Sequence, residues 1–161
     1  MLVIIGGSGM LLEASQALAK KSCDDLILCS RRLSPYEPIL QENPKAEFLT
    51  FDFSNEEHYE RLRTVLIKKK KELTFLIWIH SPYYPYLEKL LLALRKSIKA
   101  VYLVKGSNSH PLPKNWKQDF PLKVIQLDKH PTEDRWLTHH EISQKVLAAM
   151  ACRTDELNQS N

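Results

Sequence analysis

No apolar run in the 161 residues approaches the roughly 18 needed to cross a bilayer, so a membrane-spanning helix is excluded. Cysteine is scarce and odd in number. Cys23, Cys29 and Cys152 offer no pair at metal-ligand spacing, which argues against a zinc site and for a reducing compartment. Charge is not one-sided either: 23 Lys and Arg against 19 Asp and Glu leave a net charge of +4. The densest basic run, Lys68–Lys71, lacks the interleaved aromatics that stack bases, and it falls where a predicted helix ends and cations favour the negative pole of the dipole. No nucleic-acid partner and no membrane partner are therefore expected. There is no internal repeat and no low-complexity segment. No signal or transit peptide precedes the first apolar run, and the expected address is the cytoplasm. What is present is ordinary for a globular domain, with 43% hydrophobic and 26% charged residues. The expectation is one domain over residues 1–151 followed by a polar, frayed tail over 152–161.

The chain alternates between short apolar runs and helical patterns. Leu2–Ile5 reads as a strand closed by Gly6-Gly7-Ser8-Gly9, and Met10–Lys21 as a helix. Asp25–Ser30 is a continuous apolar run suited to a parallel strand buried on both faces. Ser34–Pro44 carries three prolines and is expected to be irregular, with at most one helical turn. Ala46–Phe51 reads as a third strand. Ser54, with Glu57 three residues on, reads as the cap of a helix running to the lysines. Leu73–Ile79, Ala100–Val104 and Leu122–Leu127 supply three more strands, with a helix over Tyr86–Lys96 and a proline-broken stretch over Lys105–Pro121. Thr138 and Glu141 form a second capping box, opening a helix to about Met150. This alternation predicts a Rossmann-like doubly wound α/β fold, a parallel sheet of about six strands in three α/β/α layers.

The glycine turn lies directly after a strand and directly before a helix. There, glycines permit positive φ and let the backbone come against a pyrophosphate, while free N–H groups and the helix dipole favour the negative charge. Gly6, Gly7, Ser8, Gly9, Met10 and Leu11 are thus candidate cofactor-binding residues, although a tight turn holding no ligand is the alternative. Gly6 and Gly9 match the first two positions of G-x-x-G-x-x-G, and Leu12 stands where the third glycine would be. At the end of the second strand, dinucleotide sites place the ribose selector. An acidic residue there suits NAD(H); this chain has Ser30-Arg31-Arg32, whose hydroxyl and guanidinium groups suit a 2′-phosphate. The expected cofactor is NADP(H), with NAD(H) the less favoured alternative.

With its GGSGML opening and the closing segment Arg135–Ile142 (RWLTHHEI), the sequence resembles the small atypical members of the short-chain dehydrogenase/reductase superfamily over nearly its whole length. The resemblance implies that Asp52 hydrogen-bonds the adenine amino group with Phe53 beside the ring, and that Ile79, His80 and Ser81 line the ribose and nicotinamide side. It also implies a tyrosine with a lysine four residues later as the general acid pair, and no Tyr-x-x-x-Lys occurs here. Ser107 and Ser109 fall where the family's substrate-holding serine belongs. Catalytic residues are thus left unassigned.

Loops after the strands should converge on the ligand side. They bring Tyr83, Tyr84, Trp116, Phe120 and Trp136, which either line a substrate pocket or close the open end of the domain. Lys105, His110 and His130 are candidate acids or bases, and Lys105 is also a candidate cofactor contact. His139-His140-Glu141 is not expected to bind metal, because adjacent helical residues point about 100° apart. Two functions stay open: an NADP(H)-dependent reductase of a small carbonyl substrate with a non-standard acid, or a protein that holds NADP(H) as a sensor without turning it over. The oligomeric state is open too, with a homo-oligomer among the options because related folds often pair through helices flanking the sheet.

Overall fold

Leu2–Ile5 (β1) is buried at every position, and so is Leu26–Ser30 (β2). Such runs can satisfy their backbone only between two other strands and bury their side chains only between two helical layers. The computed structural model describes the backbone of residues 1–158 and the side chains as far as residue 151. It has a six-stranded sheet, completed by Ala46–Thr50 (β3), Leu73–Ile77 (β4), Ile98–Gly106 (β5) and Leu122–Leu127 (β6), in the order β3-β2-β1-β4-β5-β6. All five pairings are parallel, and Ile5 at the end of β1 stands opposite Cys29 on one side and Ile77 on the other.

Alternate residues of each strand feed two cores. Val3, Ile5, Ile27, Phe75 and Ile77 pack against Leu62 and Leu66 of Glu56–Lys69 (α3, after Leu12–Lys21 as α1 and Glu37–Glu42 as α2) and Leu87 and Leu91 of Tyr84–Leu94 (α4). Leu2, Ile4, Leu26, Leu28 and Leu76 face the other way, onto Leu12–Lys21 (α1), Glu37–Glu42 (α2) and His139–Asn158 (α6). The result is the expected three-layer doubly wound architecture. Winding reverses between β1 and β4, which opens a crevice beyond the carboxyl ends of these two strands.

Several local expectations need correction. The stretch after β2 holds more helix than one turn: a 3₁₀ turn over Ser34–Tyr36 runs into α2, with Pro35 and Pro38 in the first turn of each, where a missing N–H costs nothing. Asn55, not Ser54, caps α3, its side chain accepting from the Glu57 amide at 3.0 Å, because Ser54 is engaged by Asp52. β4 ends at Ile77 rather than Ile79, and β5 is longer than expected at both ends. A short helix, Trp116–Asp119 (α5), interrupts the proline-broken stretch. α6 continues to Asn158 instead of stopping near Met150, since neither glycine nor proline interrupts 139–158, so most of the expected tail is helical; residues 159–161 lie outside the described residues.

The Thr138–Glu141 capping box forms as expected, with the Glu141 amide donating to Thr138 Oγ1 at 3.2 Å and the Thr138 amide donating to the Glu141 carboxylate at 3.1 Å. Lysines 68–71 close α3, with Lys70 in the left-handed conformation at φ 51°. Among the described residues no helix is long and apolar enough to cross a membrane.

Candidate functional site

Each glycine of the first turn serves a different purpose. Gly6 has φ +78°, and a Cβ there would sit 2.0 Å from the Trp78 carbonyl oxygen, so both conformation and space demand glycine. Gly7 is buried, and a Cβ on it would meet Ile4 and Ser15 at 2.6 Å and the Tyr36 hydroxyl at 2.8 Å. Gly9 differs from both. It is exposed, its φ is not positive, and a Cβ there would meet nothing within 4 Å. Neither backbone strain nor packing requires glycine at position 9, which leaves room on the open side of the turn for something to approach the backbone.

Leu11 caps α1 without a side-chain hydrogen bond. Ser15, fully buried in the first turn, donates to the carbonyls of Leu11 (2.9 Å) and Gly7 (3.2 Å), fastening the turn to the helix from below. Leu12, in the position of the absent third glycine, opens the helix and packs into the core on that face.

Two adjoining clefts cover the switch point. The outer one, about 210 Å³, is lined by Gly6, Ser8, Gly9 and Met10 from the turn, Ser30, Arg31 and Arg32 after β2, Phe51 and Phe53 after β3, and Trp78 and His80 after β4. The inner one, about 350 Å³, is lined by Met10, Trp78, Ile79, His80, Ser81, residues 106–109, Leu127, Asp128, Trp136, Leu137 and Ile142. Met10, Trp78 and His80 belong to both. Hollows of about 510 and 790 Å³ lie elsewhere, between α1 and α2 and at the amino ends of β4 and β5, and neither touches the glycine turn.

Most of the expected residues therefore converge, though not in equal roles. Arg31 and Arg32 are exposed at the rim, with the Arg31 guanidinium carbon 5.9 Å from the centre of the Phe53 ring, a cation–π arrangement. The Ser30 hydroxyl is committed: at 4% exposure it donates to the Arg32 carbonyl at 2.7 Å and holds the bend after β2, leaving the two guanidinium groups as the outward donors. Phe53 stands edge-on to His80 at 5.1 Å. Asp52 does not line either cleft. Its Oδ1 accepts from the Ser54 amide (2.9 Å) and hydroxyl (2.7 Å), and these bonds, with smaller help from Arg31 and His58, hold its carboxyl below the usual carboxylate range. Lys105 reaches the Ser109 carbonyl at 3.4 Å and braces the loop after β5 from outside the lining. Ile79 is 2% exposed and belongs largely to the core beneath the inner cleft.

The aromatic candidates divide. Tyr84, Trp116 and Phe120 are core residues, with Trp116 5.5 Å from Tyr84 and 5.9 Å from Phe120, and the Trp116 indole N–H donates to the Glu88 carboxylate at 2.8 Å. They close the domain rather than line a pocket. Trp136, 57% exposed, does line the inner cleft. It pairs with Lys129 across an isolated antiparallel bridge, so residues 129–136 form a built hairpin. His130 is a node of that hairpin: its Nδ1 accepts from the Glu133 amide at 3.1 Å and its Nε2 lies 3.3 Å from Glu141. His110 is exposed, and neither histidine lines the clefts. His140 pairs with Glu13 at 2.7 Å, and among the described residues no group of His, Cys, Asp and Glu is placed to hold a metal.

Sequence reasoning missed Trp78, which lines both clefts and whose carbonyl presses on Gly6. The available signal was slight: a large aromatic directly after the apolar run Leu73–Ile77, where the chain turns onto the ligand side.

The architecture matches solved structures closely. An oxidoreductase from a metagenome, in complex with NADP, superposes with a TM-score of 0.62 over 94% of this chain and 90% of that one, at 10% identity. A Veillonella parvula protein, also in complex with NADP, gives 0.60 over 93% and 86%, at 13% identity, and a Streptomyces avermitilis dehydrogenase gives 0.60 over 95% and 82%, at 14% identity. The fold is that of the short-chain dehydrogenases and reductases. At the level of sequence, no family model and no curated protein matches the chain.

Proposed function

We propose that the protein binds NADP(H) across the switch-point crevice and acts as a reductase of a small carbonyl substrate. The observation that carries the cofactor reading is the pairing of Gly9, a glycine for which the fold has no use of its own, with Arg31 and Arg32 on the rim of the same cleft. The turn's amides and the α1 terminus would receive the pyrophosphate, the guanidinium groups the 2′-phosphate, and the Phe53 ring the adenine side. The half of the dinucleotide beyond the pyrophosphate then falls in the inner cleft, because dinucleotides lie across the point where strand order reverses. Two of the structural neighbours are complexes with NADP, which supports the choice of ligand. When bound, the reduced cofactor would supply a hydride. Asp52 retains one carboxylate oxygen unengaged by Ser54 and remains the candidate partner of the adenine amino group.

His80, the imidazole common to both clefts, is the side chain we assign to delivering the proton, since its ring nitrogens can donate to a substrate held between them. A second reading has an observation of its own. Among the described residues no tyrosine or lysine side chain lines the inner cleft, so a protein that holds NADP(H) as a sensor is the alternative.

The test is a fluorescence titration of NADPH and NADH separately against the purified protein, followed by a screen of small aldehydes and ketones for NADPH consumption. Tighter binding of NADPH is the expected result, and no binding of either nucleotide rejects both readings. Consumption that survives His80→Gln rejects the acid assignment.

A further inference from the structure

The amide of Ala14, the third residue of α1, belongs to the set of helix-terminal N–H groups that an N-cap side chain normally satisfies. Leu11 occupies the cap and has nothing to offer. The Ala14 amide donates instead to Ser143 Oγ at 3.1 Å, from a residue 129 positions away on α6. The same hydroxyl donates to the Met10 carbonyl at 3.4 Å, and Ser143 is fully buried.

We propose that Ser143 is a positioning residue for the cofactor, a helix cap supplied from the far end of the chain that sets the glycine turn in its binding geometry. The proposal rests on the dinucleotide reading above. A peptide unit is planar with its C=O and N–H opposed, so pinning the Met10 carbonyl towards α6 turns the Leu11 N–H away from it. Occupying Ala14 from behind leaves for a ligand the amides ahead of it in the turn other than that of Leu12, which donates to the Gly9 carbonyl at 3.0 Å. Without the hydroxyl the turn must be ordered at the moment of binding, and that cost appears in the affinity.

The closing segment gains a purpose in this way. Arg135 is bonded to Glu141 at 2.7 Å, Glu141 caps α6 with Thr138, and the helix so fixed presents His140 to Glu13 and Ser143 to the turn. The His140–Glu13 pair is exposed and contributes little. Ser143 is the buried contact.

Because Ser143 acts on the part of the site that receives the pyrophosphate common to both nucleotides, its loss should weaken NADPH and NADH alike. In the full chain, Ser143→Ala is expected to raise both dissociation constants about tenfold with their ratio unchanged. Val146→Ala, which trims a fully buried side chain further along α6 and leaves both Ser143 hydrogen bonds in place, controls for loosened packing and should leave both constants within about twofold. Ser143→Thr, which keeps a hydroxyl, should restore affinity. Should threonine not be accommodated, faster hydrogen exchange at the Ala14 amide of Ser143→Ala, the one amide that donates to this hydroxyl, is the second readout. Unchanged constants in Ser143→Ala, an equal loss in Val146→Ala, or a loss confined to NADPH would each overturn the assignment while leaving the dinucleotide reading intact. Failure of the wild-type protein to bind either nucleotide would overturn both.

Discussion

Alanine placed in turn at the three glycines of the first loop should separate what the fold needs from what a ligand needs. At Gly6 an alanine must adopt φ +78°, costing about 1–3 kcal/mol, and its methyl would also press on the Trp78 carbonyl from 2.0 Å, a backbone atom that cannot step aside without disturbing β4. A total loss of about 3 kcal/mol or more lowers the melting temperature of a chain this size by about 10 °C. At Gly7 the methyl meets the buried Ile4 side chain, the Ser15 hydroxyl that fastens the turn and the Tyr36 hydroxyl, so overpacking of about 1–3 kcal/mol is expected. At Gly9 there is no neighbour within 4 Å, and stability should shift by no more than about 0.5 kcal/mol. Nucleotide affinity should show a different pattern. Gly9→Ala, nearly silent in a thermal melt, should weaken NADPH about tenfold or more, because its methyl occupies the space through which the pyrophosphate approaches. Thermal melts and fluorescence titration of the three variants decide the matter. A Gly9→Ala protein that melts normally and binds NADPH as tightly as the wild type would refute the cradle.

Three further outcomes follow. Arg31→Ala should weaken NADPH about tenfold while leaving NADH within about twofold, and equal effects on the two nucleotides in the same titration would count against the 2′-phosphate assignment. Glu141 is held down to about 2, first by its Arg135 hydrogen bond and then by its bonds to Thr138, so this pair contributes stability above the ordinary glutamate range that disappears as the pH falls from about 4.5 towards 2. Melting temperatures across that window should fall less steeply in Glu141→Gln, whose starting stability is already lower. The Tyr36 hydroxyl is buried without a hydrogen-bond partner of good geometry, so Tyr36→Phe should leave chemical denaturation unchanged or shift the midpoint upward.

The centre of the sheet was legible because β1 and β2 are buried on both faces and so read as unbroken apolar runs, whereas β3 and β6 at the edges are partly exposed; Leu26–Ser30 needed no partner to be recognised. Boundaries were less visible. Ser54 and Asn55 are both good caps, and the choice between them was made by Asp52, which engages the Ser54 hydroxyl and amide and leaves the cap to its neighbour. Proline content misled in the stretch after β2, since Pro35 and Pro38 occupy the positions where helices tolerate proline. In the candidate site, Gly9 and Arg31 could be named from spacing, and Phe53 from the family resemblance. Trp78 could not, nor could the burial that commits the Ser30 hydroxyl, because both depend on how β4 and the turn after β2 meet in space. The sequence also hid the division of the aromatics. Trp116 and Trp136 are equally suited to a pocket by composition, and only packing made one a core residue and the other a wall.

The cap that α6 lends to α1 bears on the order in which the molecule is made. A chain leaves the ribosome amino end first, at about 5–20 residues per second, so the glycine turn is exposed on the order of ten seconds before Ser143 exists. A nascent chain halted after β6 would possess every strand of the sheet and both arginines, yet its first helix would still lack the bond that sets its opening turn. Nucleotide capture would then come late in biosynthesis, and nucleotide added during translation should protect the finished protein from proteolysis while doing little for chains stopped before α6.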